Sequence, residues 1–303
     1  TIYGTESTTA IQAFEKSFTV LDAAEAVFPD EPIIATTRTF FRAIVDFDFL
    51  PAKEALDGAL LEAPDDPDLN FMKVWYSIFV EARYLDAMLL IDRMILEDSD
   101  RIAFHDARAE AFSFMGRESE AMMLNASIAA GHAEDFDRLI NNALSQKQIG
   151  DLDSALVNAR KAVGVSANHP AALCILAEIH AAREETGEAR RLLDQVEERR
   201  AAGWFVPLIF SARAEAELNR PGAALRLLEA AHQNKEGWSL MYSLRSPRFI
   251  GLMADTKGFW KLISDMGYPA LPFDHPYYEK EQEMRYGVGS SVADVSASGS
   301  PNS

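Results

Sequence analysis

The stretch from Gly150 to Ala162, GDLDSALVNARKA, decides how this chain folds. Gly150 ends a preceding helix, and the carboxylate of Asp151 can accept hydrogen bonds from the free amides of the next helix's first turn. Ala155, Ala159 and Ala162 follow at spacings of four and three residues, so they share one helix face. Small side chains on one face let a neighbouring helix approach closely. The stretch therefore predicts a packed array of helices.

The same pattern recurs along the chain. An alanine with a bulky apolar residue just after it and a turn signal before it stands at Ala55, Ala87, Ala121, Ala155, Ala189 and Ala224. The intervals between these alanines are 32, 34, 34, 34 and 35 residues. Sixteen residues before each alanine, a first-helix anchor is expected at Thr39, Phe71, His105, Leu139, Leu173 and Leu208. A period held this long predicts repeats of two helices each.

This period resembles that of the tetratricopeptide repeat, a helix-turn-helix unit of 34 residues. Pro67, twelve residues after Ala55, stands where the closing proline of that repeat belongs. The usual Trp, Gly and Tyr of the first helix are mostly replaced. The resemblance implies an all-α, right-handed superhelical solenoid of six to seven helix-turn-helix repeats with N- and C-terminal capping helices.

The period also divides the chain into segments. We expect an N-terminal capping helix or half-repeat (1–35), six repeats (36–238), a degenerate repeat with the C-terminal cap (239–269), an extended arm (270–286) and a disordered tail (287–303). The tail prediction follows from a composition of small and polar residues with no material for a core.

Charge and composition exclude several classes of partner. The formal net charge is −18 and the isoelectric point is near 4.7, whereas binding of nucleic acid or anionic lipid needs a basic face. We therefore expect no direct nucleic-acid or membrane contact, and a basic or hydrophobic protein or peptide as the partner. No apolar run is long enough for a membrane span. The single cysteine, Cys174, fits a reducing compartment, and we expect a cytoplasmic protein.

Motifs for catalysis are absent from the sequence. It has no glycine-rich phosphate loop, no His-Glu-x-x-His and no Gly-x-Ser-x-Gly. The six histidines are scattered, and the nearest two, His169 and His180, do not share a helix face at metal-ligand spacing. We expect a non-enzymatic protein without cofactor or metal.

The expected binding surface is the concave side, which the first helices of the repeats line. Positions one, five and eight after each first-helix anchor point into this groove, which makes its N-terminal third aromatic and its later parts charged or small. The predicted groove residues are Phe40, Ile44, Phe47, Met72, Tyr76, Phe79, Glu110, Lys147, Glu178 and Arg213. The same rule adds Asp106, Ser113, Ile140, Leu144, Cys174, Ala181, Ile209 and Ala216.

The leading functional prediction is an interaction module that binds a protein segment in this groove, with aromatic anchors dominating affinity. Alternatively, the aromatic side chains pack under the N-terminal helix (10–28) or form a homodimer interface. Some relatives clamp a carboxylate with Lys, Arg and Asn side chains, but Glu110 and Glu178 would repel one. We therefore expect no such clamp.

A further alternative comes from the end of the chain. The segments Leu244–Phe249, Phe259–Leu262 and Met266–Pro269 resemble the end of bacterial tetratricopeptide arrays, which often follow a winged-helix DNA-binding domain or a nucleotide cyclase domain. The sequence starts with Thr1 instead of Met, so we expect a piece of a longer protein. A regulatory or sensory domain of a transcription regulator or cyclase is thus the second functional prediction.

Overall fold

The computed structural model describes residues 10–129 and 136–286, and within these ranges the regular structure is helical. The helices are α1 (Ala10–Val27), α2 (Pro32–Asp46), α3 (Phe49–Glu62), α4 (Pro67–Tyr76), α5 (Tyr84–Glu97), α6 (Ile102–Phe114), α7 (Glu118–Ala129), α8 (Phe136–Gln148), α9 (Leu152–Val165), α10 (Pro170–Ala182), α11 (Thr186–Ala201), α12 (Leu208–Glu217), α13 (Pro221–Gln233), α14 (Gly237–Leu244), α15 (Pro247–Met253), α16 (Lys257–Asp265) and α17 (Tyr278–Tyr286). Helix α4 continues into one π-helical turn, Ser77–Glu81.

The turn at Gly150 has the predicted construction. Gly150 has a φ of 82°, in the left-handed region that glycine adopts most easily, and it follows the end of α8. The Ser154 amide donates to Asp151 Oδ1 over 3.1 Å, which caps α9. Ala155, Ala159 and Ala162 are fully buried, as expected for a seam between helices.

The repeating alanine is the fourth residue of each second helix. Ala87, Ala121, Ala155, Ala189 and Ala224 hold this position in α5, α7, α9, α11 and α13, and each is at most 1% exposed. In the first repeat the position belongs to Ala52, not to the predicted Ala55, which is only partly buried. The shift of three residues is close to one helical turn, so both alanines match the pattern on nearly the same helix face.

Helices α2 to α13 form six antiparallel pairs in chain order, and each pair packs on the next. This confirms an all-α helical-repeat fold. The buried apolar residues divide into two clusters. One occupies the middle of the array, in α8 to α11, with Val206 and Ala214. The other joins the first repeats, α2 to α6, to the last helices, α12 to α16.

The N-terminal segment contributes one helix. Helix α1 packs on α2, where the guanidinium of Arg38 donates to Asp22 and Glu25 over 2.7 Å each. Residues 1–9 and the predicted disordered tail at 287–303 lie outside the described residues.

The C-terminal cap, residues 237–271, contains α14 to α16 and folds back onto the first two repeats. Helix α14 packs on α2 and on the π-helical turn. Two glycines permit this approach: a Cβ on Gly237 would lie 1.9 Å from the carbonyl oxygen of Ile44, and one on Gly267 would lie 2.4 Å from that of Phe47. The array therefore closes on itself, because its last helices contact its first.

Arg245 fixes this closure from within the cap. Its side chain is fully buried, its Nε donates to the Val80 carbonyl over 3.0 Å, and its guanidinium also donates to the Pro269 carbonyl. The Tyr84 hydroxyl donates to the Arg245 carbonyl over 2.7 Å. Burial lowers the pKa of Arg245 below its usual value. The second repeat and the cap thus share one hydrogen-bonded network.

The region predicted as an extended arm divides into an irregular stretch up to Tyr277 and helix α17, which packs on α16. The Leu271 amide donates to the buried carboxylate of Glu281 over 2.5 Å, which ties α17 to the cap. Within residues 10–129 and 136–286, no helix is both long and apolar enough to cross a membrane.

Candidate functional site

The first helices of repeats three to six surround a cavity of about 490 Å³ on the inner side of the closed array. Helices α14 and α15 of the cap contribute most of the rest of its lining. This central cavity is lined by Asp106, Ala109, Glu110, Ser113, Phe114, Asn125, Asp137, Ile140, Asn141, Leu144, Ser145, Lys147, Gln148, Glu178, Pro207, Phe210, Arg213, Glu217, Ser239, Ser243, Ser246, Arg248, Phe249 and Leu252. Its volume lies within the range of small-ligand sites, roughly 300–1,000 Å³.

One wall of the cavity is an ion-pair network. The Lys147 ammonium donates to Glu178 and, over 2.6 Å, to Glu217. The guanidinium of Arg213 donates to Glu178 over 2.9 Å, and that of Arg248 donates to Glu217 over 3.2 Å. Helices α8, α10, α12 and α15 are thereby joined through charged side chains.

The network is buried and therefore depends on its own pairing. The side chains of Lys147 and Glu178 are each 2% exposed. Burial opposes ionisation of Glu178, but the positive charges of Arg213 and Lys147 outweigh it and lower its pKa to about 2. Removal of one partner would leave an uncompensated buried charge, so the network holds the helices of the wall in a fixed arrangement.

The part of the lining that α6 provides carries a carboxyl group without such a partner. On α6, Asp106 accepts two hydrogen bonds from the Arg138 guanidinium, over 2.5 and 3.0 Å. Glu110 lies one turn further along α6 and forms no ion pair with any residue in the described ranges. Burial, together with the nearby negative charge of Asp106, raises the pKa of Glu110 to about 8.

Apolar and small polar groups complete the lining. Ile140 and Leu144 lie one turn apart on α8, while Phe210, Phe249 and Leu252 come from α12 and α15. The cap contributes three serines to the lining, Ser239, Ser243 and Ser246. The cavity thus combines an apolar surface with hydrogen-bonding groups and one unpaired carboxyl, a combination typical of binding sites.

The predicted aromatic part of the groove is not open. Phe40, Ile44, Phe47, Tyr76 and Phe79 are between 1% and 7% exposed and belong to the core that the first repeats share with the cap. Met72 is partly buried and packs against the same core. The expectation that these side chains line an accessible groove is therefore corrected.

Contacts with α13 and with the cap explain this burial. The Phe47 ring packs edge-on against His232 at 4.7 Å between centroids, close to where α14 meets Ile44. The Tyr76 hydroxyl donates to the Phe49 carbonyl over 3.1 Å, and the Phe49 ring contacts Tyr268 of the cap at 4.8 Å. The chain's own sixth repeat and C-terminal cap therefore cover much of this aromatic surface. A homodimer through the aromatic groove would have to displace this cap.

The charged part of the predicted groove does come together. Glu110, Lys147, Glu178 and Arg213 all line the central cavity, although they belong to four different repeats. Asp106, Ser113, Ile140 and Leu144, which the same position rule predicts, line it as well.

The position rule missed other lining residues. Phe114, Gln148 and Glu217 lie nine residues after their first-helix anchors, so adding position nine to the rule would have found them. Arg248, Phe249 and the three serines lie in and beside the cap, which follows no repeat period, and no sequence signal marked them.

Cys174 and the potential metal ligands of the described residues add no second site. Cys174 is fully buried beside Ser211, and burial raises the pKa of its thiol to about 12. Among residues 10–129 and 136–286, no three His, Cys, Asp or Glu side chains lie close enough together to hold a metal ion.

Comparisons with known proteins give a fold-level likeness. No family model matches the sequence, and no curated protein matches it either. The structure is similar to a tetratricopeptide repeat protein from Parabacteroides merdae, with a TM-score of 0.48 and 13% identity over 80% of this chain and 94% of that one. A likeness this distant carries no argument, and the fold assignment rests on the helix pairs described above.

Proposed function

We propose that the protein is a non-enzymatic interaction module that binds a segment of a protein partner in the central cavity. The observation that carries this proposal is the cavity itself, about 490 Å³ of space bounded by the first helices of four successive repeats. It replaces the N-terminal aromatic groove as the binding surface, because that groove is occupied by the cap.

The size of the cavity limits what can enter. A volume of this order accommodates one or two side chains or the end of a chain, and no folded domain. The partner therefore presents an extended segment or a loop, and one side chain is inserted between the walls.

The ion-pair network of the cavity wall supports a function in binding and not in catalysis. Lys147, Arg213 and Arg248 are already paired with Glu178 and Glu217, so the network acts as a rigid surface. A rigid site loses little conformational entropy when a ligand binds.

A display library of random peptides tests the proposal. We expect selection on the protein to enrich a common sequence. We expect Leu144→Trp, which fills the cavity from α8, to weaken binding of the enriched peptide by about tenfold or more, measured by fluorescence anisotropy. Leu89→Trp is the matched control, because Leu89 is 71% exposed on α5 and does not line the cavity.

Circular dichroism of both variants shows whether the fold is kept. The proposal is wrong if no sequence is enriched, or if the two folded tryptophan variants bind the enriched peptide equally well.

A further inference from the structure

The charges that line the central cavity are not balanced. Its cations, Lys147, Arg213 and Arg248, are all within hydrogen-bonding distance of Glu178 or Glu217. Their positive charge is therefore directed into the wall and is not free for a ligand. An anionic ligand would have to compete with these carboxylates.

Glu110 is a carboxyl group of the lining that is left without a cationic partner. Arg138 of α8 makes a bidentate contact with the neighbouring Asp106. Within the described ranges no Lys, Arg or His pairs with Glu110, although the side chain is partly buried in the cavity wall. A partly buried carboxyl next to a second carboxylate is stabilised by any cation that reaches it.

An apolar surface lies in the same cavity. Ile140 and Leu144 present aliphatic side chains one turn apart on α8, and Phe210 adds an aromatic ring. Lysine and arginine side chains have an aliphatic stem and a charged end, so they fit a site that joins an apolar wall to a carboxylate.

We propose that the side chain inserted into the central cavity is basic, a lysine or an arginine, with its charged end against Glu110 and its stem against Ile140 and Leu144. This inference rests on the proposed function and adds the chemistry of the partner. The formal net charge of −18 acts in the same direction, since it attracts a basic segment from a distance.

The proposal implies that binding is coupled to a proton. Glu110 has a pKa of about 8 in the free protein, so it is largely protonated at neutral pH. A bound cation favours the ionised form, and Glu110 releases its proton. The affinity for the basic side chain therefore rises with pH from about 6 to about 8. The other charged groups lining the cavity are Asp106 on α6, Asp137 and Lys147 on α8, Glu178 on α10, Arg213 and Glu217 on α12, and Arg248 on α15.

Two pairs of small probes test this inference. Each pair joins a basic compound to a neutral analogue: N-acetyl-arginine methylamide with its citrulline counterpart, and N-acetyl-lysine methylamide with its Nε-acetylated form. Binding is followed by NMR on protein with ¹³C-labelled glutamate side chains. We expect at least one basic probe to bind about tenfold more tightly than its neutral analogue. That probe should also shift the Glu110 carboxyl signal and lower its apparent pKa.

Glu110→Gln should remove the preference, while Glu54→Gln should keep it. Glu54 is exposed on α3, forms no ion pair with a described residue and lies outside the cavity. Glutamine copies the shape of the protonated acid, so the variant is expected to fold.

The outcomes separate this inference from the proposed function. Equal binding of basic and neutral probes, or an unchanged preference in Glu110→Gln, overturns the inference. If enriched peptides without Lys or Arg still bind in the cavity and lose affinity in Leu144→Trp, the proposed function stands alone. If no peptide and no probe binds, both are wrong.

Discussion

Glu110 makes stability depend on pH in a defined direction. Burial beside Asp106 raises its pKa from about 4.5 to about 8, so between these values the folded chain binds more protons than the unfolded chain. Its contribution to stability is complete below about pH 4.5 and is lost as pH rises through 8. Glu110→Gln removes this loss. Because the cavity admits water, we expect the variant to be more stable than the parent by only about 1–2 kcal/mol at pH 9.

Urea unfolding at pH 5 and pH 9 measures this difference. The gain should be present at pH 9 and small or absent at pH 5, since glutamine resembles the protonated acid that the parent already has there. An equal effect at both pH values would mean that Glu110 ionises as an ordinary surface carboxyl. Glu54→Gln, at an exposed position, should leave stability unchanged at both.

Arg245 joins the cap to the second repeat. Its guanidinium donates to carbonyls of Val80 and Pro269, and its side chain is fully buried. Arg245→Ala removes the donor to the buried Val80 carbonyl and to the Pro269 carbonyl, and it opens a cavity, so we expect it to lower the free energy of unfolding by about 3 kcal/mol or more. Arg226→Ala, at an exposed position on α13, should cost less than about 0.5 kcal/mol. Chemical denaturation of both variants decides the matter, and equal midpoints would contradict this role of Arg245.

At the scale of helices, the sequence predicted the packing contacts between neighbouring helices of the repeats. The alanine at the fourth position of each second helix is buried because two helices meet there, and this contact recurs in every repeat. The assignment of Ala55 in place of Ala52 shows the limit of the pattern, since residues about one turn apart share a helix face. The first-helix positions likewise predict that Glu110, Lys147, Glu178 and Arg213 share one surface, and all four line the central cavity.

Contacts across the closure could not be predicted in the same way. Arg245 and Val80 are 165 positions apart, and their hydrogen bond belongs to no repeating unit. A period encodes only contacts between neighbours, so it gives the concave face of each repeat and not what covers that face. For this reason the pattern predicted an open groove at Phe40, Phe47, Tyr76 and Phe79, although these residues are buried in the core that the first repeats share with the last helices.

The contact between α14 and α2 has a glycine at its centre. A Cβ on Gly237 would lie 1.9 Å from the Ile44 carbonyl oxygen, so Gly237→Ala must push the two helices apart. We expect a loss of about 2 kcal/mol or more. Gly58→Ala is the matched control within α3: a Cβ there meets nothing within 4 Å, and alanine should stabilise the helix by about 0.5–1 kcal/mol. Thermal unfolding should therefore move the two variants in opposite directions, and a shift in the same direction would contradict the close approach.

In the whole molecule, the closure changes how the repeats depend on one another. In an open array the two ends are independent, and each repeat is stabilised only by its neighbours. Here the first repeats and the cap share one apolar core, while the middle repeats have another. The central cavity is lined by both parts, because α8 and α10 belong to the middle core and α14 and α15 to the core that the ends share. The geometry of the site therefore depends on the closure as well as on the repeats.

This arrangement predicts which helices lose protection from hydrogen exchange when the closure is weakened. Gly237→Ala loosens the core that the ends share, so native-state hydrogen exchange should show weaker protection in α2, α14 and α16. Protection in α9 to α11 should stay at the parent level, because their side chains belong to the second core. A uniform loss over the whole chain would show instead that the two cores open as a single unit. Binding of a cavity ligand should oppose the local loss, since a ligand that contacts both α8 and α15 stabilises the closed form by its differential affinity for it.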